Sequence, residues 1–436
     1  MIEAIDNQLP LNFEVRHIRP TACAATVIVP AKWVSILYQC ALRGQQQSVQ
    51  AYGFQQGSVP LEYIHANFRS TLLEHVKEFF FNYCVISFLY QQLRENRIVF
   101  SGEPRIADIR IQHDSDASFT FEINTFTPIE IRDWKYLPFK APKRKKYKDL
   151  DRQVENFIKE EKSLLKETAA EIIAVGDWVN FTISLTDEHG ATYLDNYAEN
   201  LWFKLGTEEV DKSLSELFIG KKVGDIFCTN NKDIQAYFSE CTNIDHYFLI
   251  HIIDMQPYTF FCLDQFKRNF KLKTNKEINR KLIEVFSYRN DLSQRRSMAE
   301  ESLKLLLSKN HFVVPNHFTL RQQDRILYAL QSNPDYQVYR TQKDFKRRIE
   351  QLAQRQTKEC LLLDLITHFE NIVVTNEDIK HYLNLIKRPR TKEFIYFDSI
   401  PTKIKGQEVP IPAEELKLAC LREKTLNHII YHLTKE

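Results

Sequence analysis

Residues 29–60 read VPAKWVSILYQCALRGQQQSVQAYGFQQGSVP, and three signals follow one another in that run. Val29-Pro30 closes an alternating apolar stretch. Beyond it, Val34, Leu37, Tyr38 and Leu42 recur at the spacing of one helical face. AYGFQQGSVP (51–60) then places Gly53, Gly57 and Pro60 within eight residues, which reads as a loop. Strand, helix and glycine-bearing loop in one run predict an α/β unit.

Outward from this stretch the pattern continues. Upstream, LNFEVRHIRP and TACAATVIVP (11–30) alternate polar and apolar residues, predicting two strands. Downstream, an amphipathic helix is expected from Leu61 to about Leu93. Its most apolar part, FFFNYCVISFLY (79–90), is interrupted by Asn82 and Ser87 and falls short of the ~20 residues a bilayer span needs, so it reads as a buried helix. ASFTFEINTF (117–126) predicts another strand. FKAPKRKKYKDLD (139–151) brings Lys140, Lys143, Arg144, Lys145, Lys146 and Lys148 together beside Pro142, a linker composition. It reads as a solvated hinge, with an RNA-facing patch as the alternative.

From 170 to 256 the texture is β: two alternating runs about a His-Gly turn in GDWVNFTISLTDEHGATY (176–193), then NLWFKLG and DHYFLIHIIDM, with SLSELFIG as a short helix. After Asp254 helices dominate, at about 317–330, 342–369, 376–387 and 413–433, with an irregular stretch over 392–412. The fold class expected is α+β and multidomain: an α/β N-terminal domain over 1–138, a basic linker and helix over 139–169, a β-rich middle domain over 170–256 and all-helical arms over 257–436.

Bulk composition narrows the function. Lys+Arg at 59 against Asp+Glu at 57 leaves a net charge of +2, so no global field attracts nucleic acid or anionic membrane. The eight cysteines form no CxxC pair and stand at no zinc-ligand spacing, predicting reduced thiols in a reducing compartment. MIEAIDNQLPLNFEV has neither a basic n-region nor an apolar h-region, so no export signal and a cytosolic setting are expected. No HExxH, GxGxxG or P-loop pattern occurs, and neither metal, nucleotide nor other cofactor is expected.

Residues 29–104 resemble the ribosome-binding domain of bacterial trigger factor, through VPAKWVSILYQCAL, the GFxxGxVP loop at Gly53–Pro60, the helix after it and Glu103-Pro104. The middle resembles an FKBP-type domain, through VGDWVNFTISLTDEHG and LGTEEVDKSLSELFIGKKVGD. The end resembles that family's chaperone arms, through HFVVPNHF, LLLDLITHFENIVVTNEDIK and REKTLNHIIYHL. All three stand in the family's order and cover nearly the whole chain.

The resemblance implies a chaperone for unfolded or nascent polypeptides, working without ATP, with the ribosome as a partner through Gly53, Phe54, Gln55, Gln56 and Gly57. The family writes this loop GFRxGK, presenting cations to ribosomal RNA and protein. Gln55 and Ser58 replace both cations, which leaves Phe54 as anchor and implies weak docking. It also implies a proline pocket walled by Tyr193, Leu201, Phe203, Val210 and Leu214. Such a cup works by desolvating the amide rather than by acid–base chemistry. Its apolar IPGF floor falls here on Asp211, Lys212, Ser213 and Leu214, and the flap after Phe227 is not recognisable, so prolyl isomerisation is expected to be weak. Client contacts are expected from arm aromatics: Phe260, Phe261, Tyr328, Phe394 and Tyr396, with Phe266, Tyr288, Tyr336 and Tyr339 beside them, although each could equally pack helix against helix. Self-association into a homodimer is left open. The rival readings are an isomerase as the main role and an RNA or ribosome adaptor acting through 53–60 and 140–148.

Overall fold

The computed structural model describes residues 11–100, 102–125, 131, 133–143, 149–167, 172–241, 244–258, 261–286, 292–331, 333–386, 390–397, 400–404 and 406–435. The first unit is a four-stranded antiparallel sheet of order β1-β2-β4-β3, with β1 Asn12–Arg19, β2 Ala22–Val29, β3 Arg105–Arg110 and β4 Ala117–Asn124. Along β2 and β4 every second side chain is buried (Cys23, Ala25, Val27 and Val29; Phe119, Phe121 and Ile123), the period of a sheet with one covered face. The cover is α1 (Ala31–Ser48) and α2 (Leu61–Phe80). Helix α1 starts after Pro30, which lacks the N–H a helix start leaves unpaired, and buries Val34, Leu37, Tyr38, Ala41 and Leu42.

The long helix expected after the loop is continuous but not uniform. A π-turn at Phe81–Val85 joins α2 to α3 (Ile86–Glu95). The wider turn sits where Tyr83 is fully buried, and its hydroxyl accepts from the Leu185 N–H (3.1 Å) and donates to the Tyr197 carbonyl (3.0 Å). FFFNYCVISFLY is therefore the N-terminal side of a core shared with the middle region.

Helix α4 (Leu150–Glu167) leads to the second sheet, of β5 (Trp178–Thr186), β6 (Glu199–Lys204), β7 (Ile226–Thr229), β8 (Tyr247–Gln256) and a fifth strand supplied from far along the chain. Two short helices, α5 (Lys212–Ser215) and α6 (Lys232–Phe238), accompany it. Strand β5 is buried on both faces; one apolar cluster runs unbroken from Val27 and Phe79 to Phe181 and Ile250.

The helical region comprises α7 (Leu263–Asn269), α8 (Asn275–Ile283), α9 (Gln294–Lys309), α10 (Asn316–Gln331), α11 (Tyr336–Arg340), α12 (Phe345–Glu370), α13 (Asn376–Ile386) and, after the short strands β9 (Lys403–Ile404), β10 (Gln407–Glu408) and β11 (Ile411–Pro412), α14 (Ala413–Thr434). Strands β9 and β10 pair with each other, and β11 adds to β6, so the second sheet runs β11-β6-β5-β8-β7. The irregular stretch over 392–412 thus holds an edge strand that its polar, proline-rich composition hides. Segments outside the expected arms also dock on them: Ile131 and Trp134, expected in the N-terminal domain, enter the core formed by α9, α12 and α14, and Leu150 and Val154 of α4, expected in the linker and helix, enter the core of α7 and α8. Residues 144–148 of the basic run lie outside the described residues. No helix among the described residues is long and apolar enough to cross a membrane.

Candidate functional site

The loop at 51–60 turns at Gly53 (φ +87°) and Gly57 (φ +82°), a backbone region that disfavours side chains with a Cβ. Phe54 N–H donates to the Ala51 carbonyl (3.1 Å), Ser58 N–H to the Gln55 carbonyl (3.0 Å), and Gln56 Nε2 to the Gln47 carbonyl (3.0 Å). The tip is thereby shaped from within. Phe54 is 42% exposed, leaning on Tyr63 with ring centroids 5.7 Å apart, and Tyr52 beside it is fully exposed. Gln55 is exposed and Ser58 turns its hydroxyl back to the Gln55 carbonyl (2.7 Å). The loop therefore offers an aromatic pair and amides. Tyr52 is the member that sequence reasoning passed over.

The five wall residues of the expected proline pocket do not surround one opening. Leu201, Phe203 and Leu214 are in the apolar core, where Phe203 packs on Phe218 at 6.0 Å and Phe218 on Phe181 at 4.9 Å. Val210 points outward, 56% exposed. Tyr193 is half-buried against the N-terminal unit, its phenol near the thiol of Cys40 on α1. Burial raises both groups, the Cys40 thiol to about 11. The set expected from sequence is thus distributed: Leu201, Phe203 and Leu214 fill a core, Tyr193 leans on the N-terminal unit and Val210 faces solvent.

Asp211, expected on the pocket floor, is buried elsewhere. Its Oδ1 accepts the Glu408 backbone N–H (2.8 Å), and its carboxylate lies over Gly206, where a Cβ would come within 1.9 Å of Oδ2. Only glycine leaves room for that approach. Glu408 is itself buried and takes Lys204 Nζ at 3.0 Å. The residue that looked like a spoiled floor is a clasp for the β9–β10 segment.

The N-terminal helices cover the second sheet through polar as well as apolar contacts. Trp33 Nε1 donates to Asp195 (2.8 Å) and Lys32 pairs with the same carboxylate, which these donors hold below its usual range. Tyr197 OH donates to Glu199 (2.6 Å), whose other oxygen takes the Ser87 hydroxyl. Burial lifts Glu199 to about 8. His75 on α2 meets His246 Nε2 to Nε2 at 2.7 Å. On the same seam, Gly44 of α1 lets the helix approach until a Cβ would stand 3.1 Å from Ile244 Cγ2.

The arm candidates separate by burial. Phe261 and Phe394, each 1% exposed, are core residues packed on Phe266 at 5.1 and 5.4 Å, so helix packing takes up both rings. Tyr396 is half-buried, its backbone N–H held by Glu423 (2.8 Å). Phe260 and Tyr288 lie outside the described residues. Tyr328 is 78% exposed. It stands on the hairpin of α10 and α12, tied by Gln322 Nε2 donating to Gln356 Oε1 (2.9 Å). This hairpin is thinly covered. Of α10 only Phe318 is buried, and of α11 nothing. Leu320, Val338, Tyr339 and Leu352 are exposed along it, and Val313 stands exposed at its base. Of these, Tyr339 is among the aromatics expected from sequence, whereas Val313, Leu320, Val338 and Leu352 are not, because helical periodicity assigns apolar positions to a core.

All eight cysteines are free thiols; Cys23, Cys84 and Cys420 are buried and Cys228 is exposed. No group of three or more potential metal ligands occurs among the described residues.

The family model for bacterial trigger factor protein matches residues 11–160, the span holding the first sheet, the loop, α1–α3 and the first part of α4. The trigger factor of Geotalea daltonii is 20% identical over 78% of this chain and 80% of its own length. That of Halothermothrix orenii is 22% identical over 90% and 92%. A solved chain from work on the trigger factor chaperone covers 96% of this chain at 15% identity and a TM-score of 0.36. The matched span coincides with the unit that carries the loop, and the relatives extend the likeness over most of the chain: it is similar to bacterial trigger factors along most of its length.

Proposed function

We propose that the chain is an ATP-independent chaperone that holds unfolded or nascent polypeptide in the cytosol, limits its aggregation and passes it on to folding or export. The observation that carries this reading is the α10–α12 hairpin, with Leu320, Tyr328, Val338 and Leu352 exposed on it and α11 burying none of its residues. Holding many sequences weakly takes scattered apolar contacts between polar ones, and needs no catalytic group. Full-length protein at stoichiometric amounts should suppress aggregation of a denatured model protein without nucleotide. Leu320→Ser/Tyr328→Ser/Leu352→Ser should lose most of that effect, and undiminished suppression by the folded variant would sink the assignment to the hairpin.

The ribosome is the second partner in this reading, met weakly through the 51–60 loop. Exposure of Tyr52 and Phe54 supports the contact, and the lack of a cation at Gln55 and Ser58 supports its weakness. Prolyl isomerisation is a minor activity at most. Burial of Leu201, Phe203 and Leu214 in a filled core argues against a dry, open cup.

A further inference from the structure

The tip of the α10–α12 hairpin concentrates charge as well as apolar surface. Between residues 336 and 358 stand seven Lys/Arg and two acidic residues, in a chain whose net charge is only +2. Arg340, Lys343, Lys346 and Arg347 are exposed and make no ion pair among the described residues. Among the described residues the Arg348 guanidinium reaches only the amide oxygen of Gln342 (3.2 Å). Elsewhere on the surface cations commonly sit beside carboxylates, as Lys403 does with Glu208 and Lys424 with Asp378. At the base of the hairpin a cleft of about 440 Å³ lies between the end of α9 and the face of α12. Its lining holds His311, Gln351, Gln354, Lys358 and Arg355, the last paired with buried Glu359 at 2.7 Å.

We propose that this hairpin selects acidic unfolded segments, with its cations taking Asp and Glu side chains while Val313, Val338 and Leu352 take the apolar residues between them. The inference rests on the chaperone reading and adds a client class to it. Charge complementarity names the occupant: unpaired cations over one projecting element favour a polyanionic partner and speed its encounter. The interspersed aliphatic side chains decide which polyanion. A single-stranded nucleic acid offers phosphate and aromatic base faces, best met by cations with stacking rings in a groove. An unfolded acidic polypeptide offers carboxylates and aliphatic groups on one flexible strand, which matches what this tip presents.

The test uses the full chain and three fluorescein-labelled probes. Two are unstructured polypeptides of equal length and apolar content, one bearing Glu and the other Lys at the intervening positions; the third is oligouridine. By anisotropy at low salt, the acidic polypeptide should bind about tenfold more tightly than the basic one, and the gap should close as salt shortens the screening length to about 8 Å and below. It should also close in Lys343→Glu/Lys346→Glu/Arg347→Glu and shrink in the milder Lys343→Gln/Lys346→Gln/Arg347→Gln, both checked for native circular dichroism. Suppression of aggregation of a near-neutral client should persist in both. Equal binding of the two polypeptides, or a preference unchanged by the substitutions, overturns the inference and leaves the chaperone reading standing. Oligouridine binding more tightly than the acidic polypeptide overturns it in favour of a nucleic-acid surface. Failure of the unsubstituted protein both to bind either polypeptide and to suppress aggregation brings down the chaperone reading, and this inference with it.

Discussion

Lowering the pH from 7.5 to 5 should loosen the seam between the N-terminal helices and the second sheet, through His75 and His246. The hydrogen bonds fix the tautomers. Ser239 Oγ donates to Glu78 (2.8 Å), so His75 Nδ1 donates to Ser239 (3.0 Å), and His75 Nε2 must then accept from His246 Nε2–H (2.7 Å). A proton added at His75 Nε2 would set two donors against each other inside a buried contact flanked by Phe79. Burial accordingly lowers His75 from 6.5 to about 4 and His246 well below its ordinary value. The stabilising form is the neutral one, so its contribution is complete above 6.5. As pH falls from 6.5 towards about 4, the unfolded chain takes up protons that the folded one refuses, and the contribution is lost. At pH 5 the loss from His75 alone is about 2 kcal/mol, with His246 adding in the same direction. Other buried histidines act likewise, His381 being lowered to about 3, so the measurement must be a difference. Hydrogen exchange of segments 61–85 and 235–252, corrected for intrinsic rates, should show protection falling more steeply with pH in the native chain than in His75→Gln/His246→Gln. Parallel pH slopes in the two proteins would refute the argument.

Gly44→Val should lower the melting temperature, because added methyl groups meet Ile244 and the Asp245 backbone, an overpacking cost of about 1–3 kcal/mol; thermal unfolding reads it directly. Replacing Asp211-Lys212-Ser213-Leu214 by Ile-Pro-Gly-Phe should not create isomerase turnover on a short X-Pro peptide, and should destabilise the fold by about 1–3 kcal/mol through the orphaned Glu408 N–H. A strong gain of turnover would restore the reading of a merely spoiled pocket. Gln55→Arg/Ser58→Lys should tighten ribosome binding and steepen its salt dependence, while Phe54→Ala or Tyr52→Ala should weaken it; cosedimentation at several salt concentrations decides.

What the sequence made legible was local. Alternation along TACAATVIVP and ASFTFEINTF predicts strands that form β2 and β4, and Val34, Leu37, Tyr38 and Leu42 mark the buried face of α1. Gly53 and Gly57 mark a loop whose positive φ values need them. What stayed hidden depended on partners distant in the chain. Ile411-Pro412 has no strand signal of its own and is held by pairing to Trp202 and Leu201. Strand β3 is exposed along nearly all its length, so RIADIR lacks the alternation that marks a half-buried strand. At the candidate site, Asp211 read as a polar intrusion because ungapped spacing places it on a floor. Its contact with a backbone N–H 197 residues away is invisible to spacing. Phe261 and Phe394 looked equivalent to Tyr328, and only burial distinguishes them.

The second sheet therefore works as a joint. On one side it receives α1–α3 through Tyr83, Glu199 and the histidine pair; along its edge it receives β11, and Trp178 and Trp202 share a cluster with Tyr382, Ile411 and Leu416 of the helical region. A side chain committed to such packing cannot also line an open pocket, because emptying a cup among Leu201, Phe203 and Phe218 would cost the burial that fixes the neighbouring units. On the reading proposed above, the side chains expected to wall a cup serve the joint instead. The hairpin stands apart from this joint: α11 buries none of its residues, and α10 meets the N-terminal unit through Arg321 and Arg325 at Glu103. For the same reason a cut near residue 257 would not isolate the arms' contribution, since it also strips β11 and Glu408 from the sheet that remains. Surface substitutions on α10–α12 leave the joint intact, and they alone separate holding a client from holding the protein together.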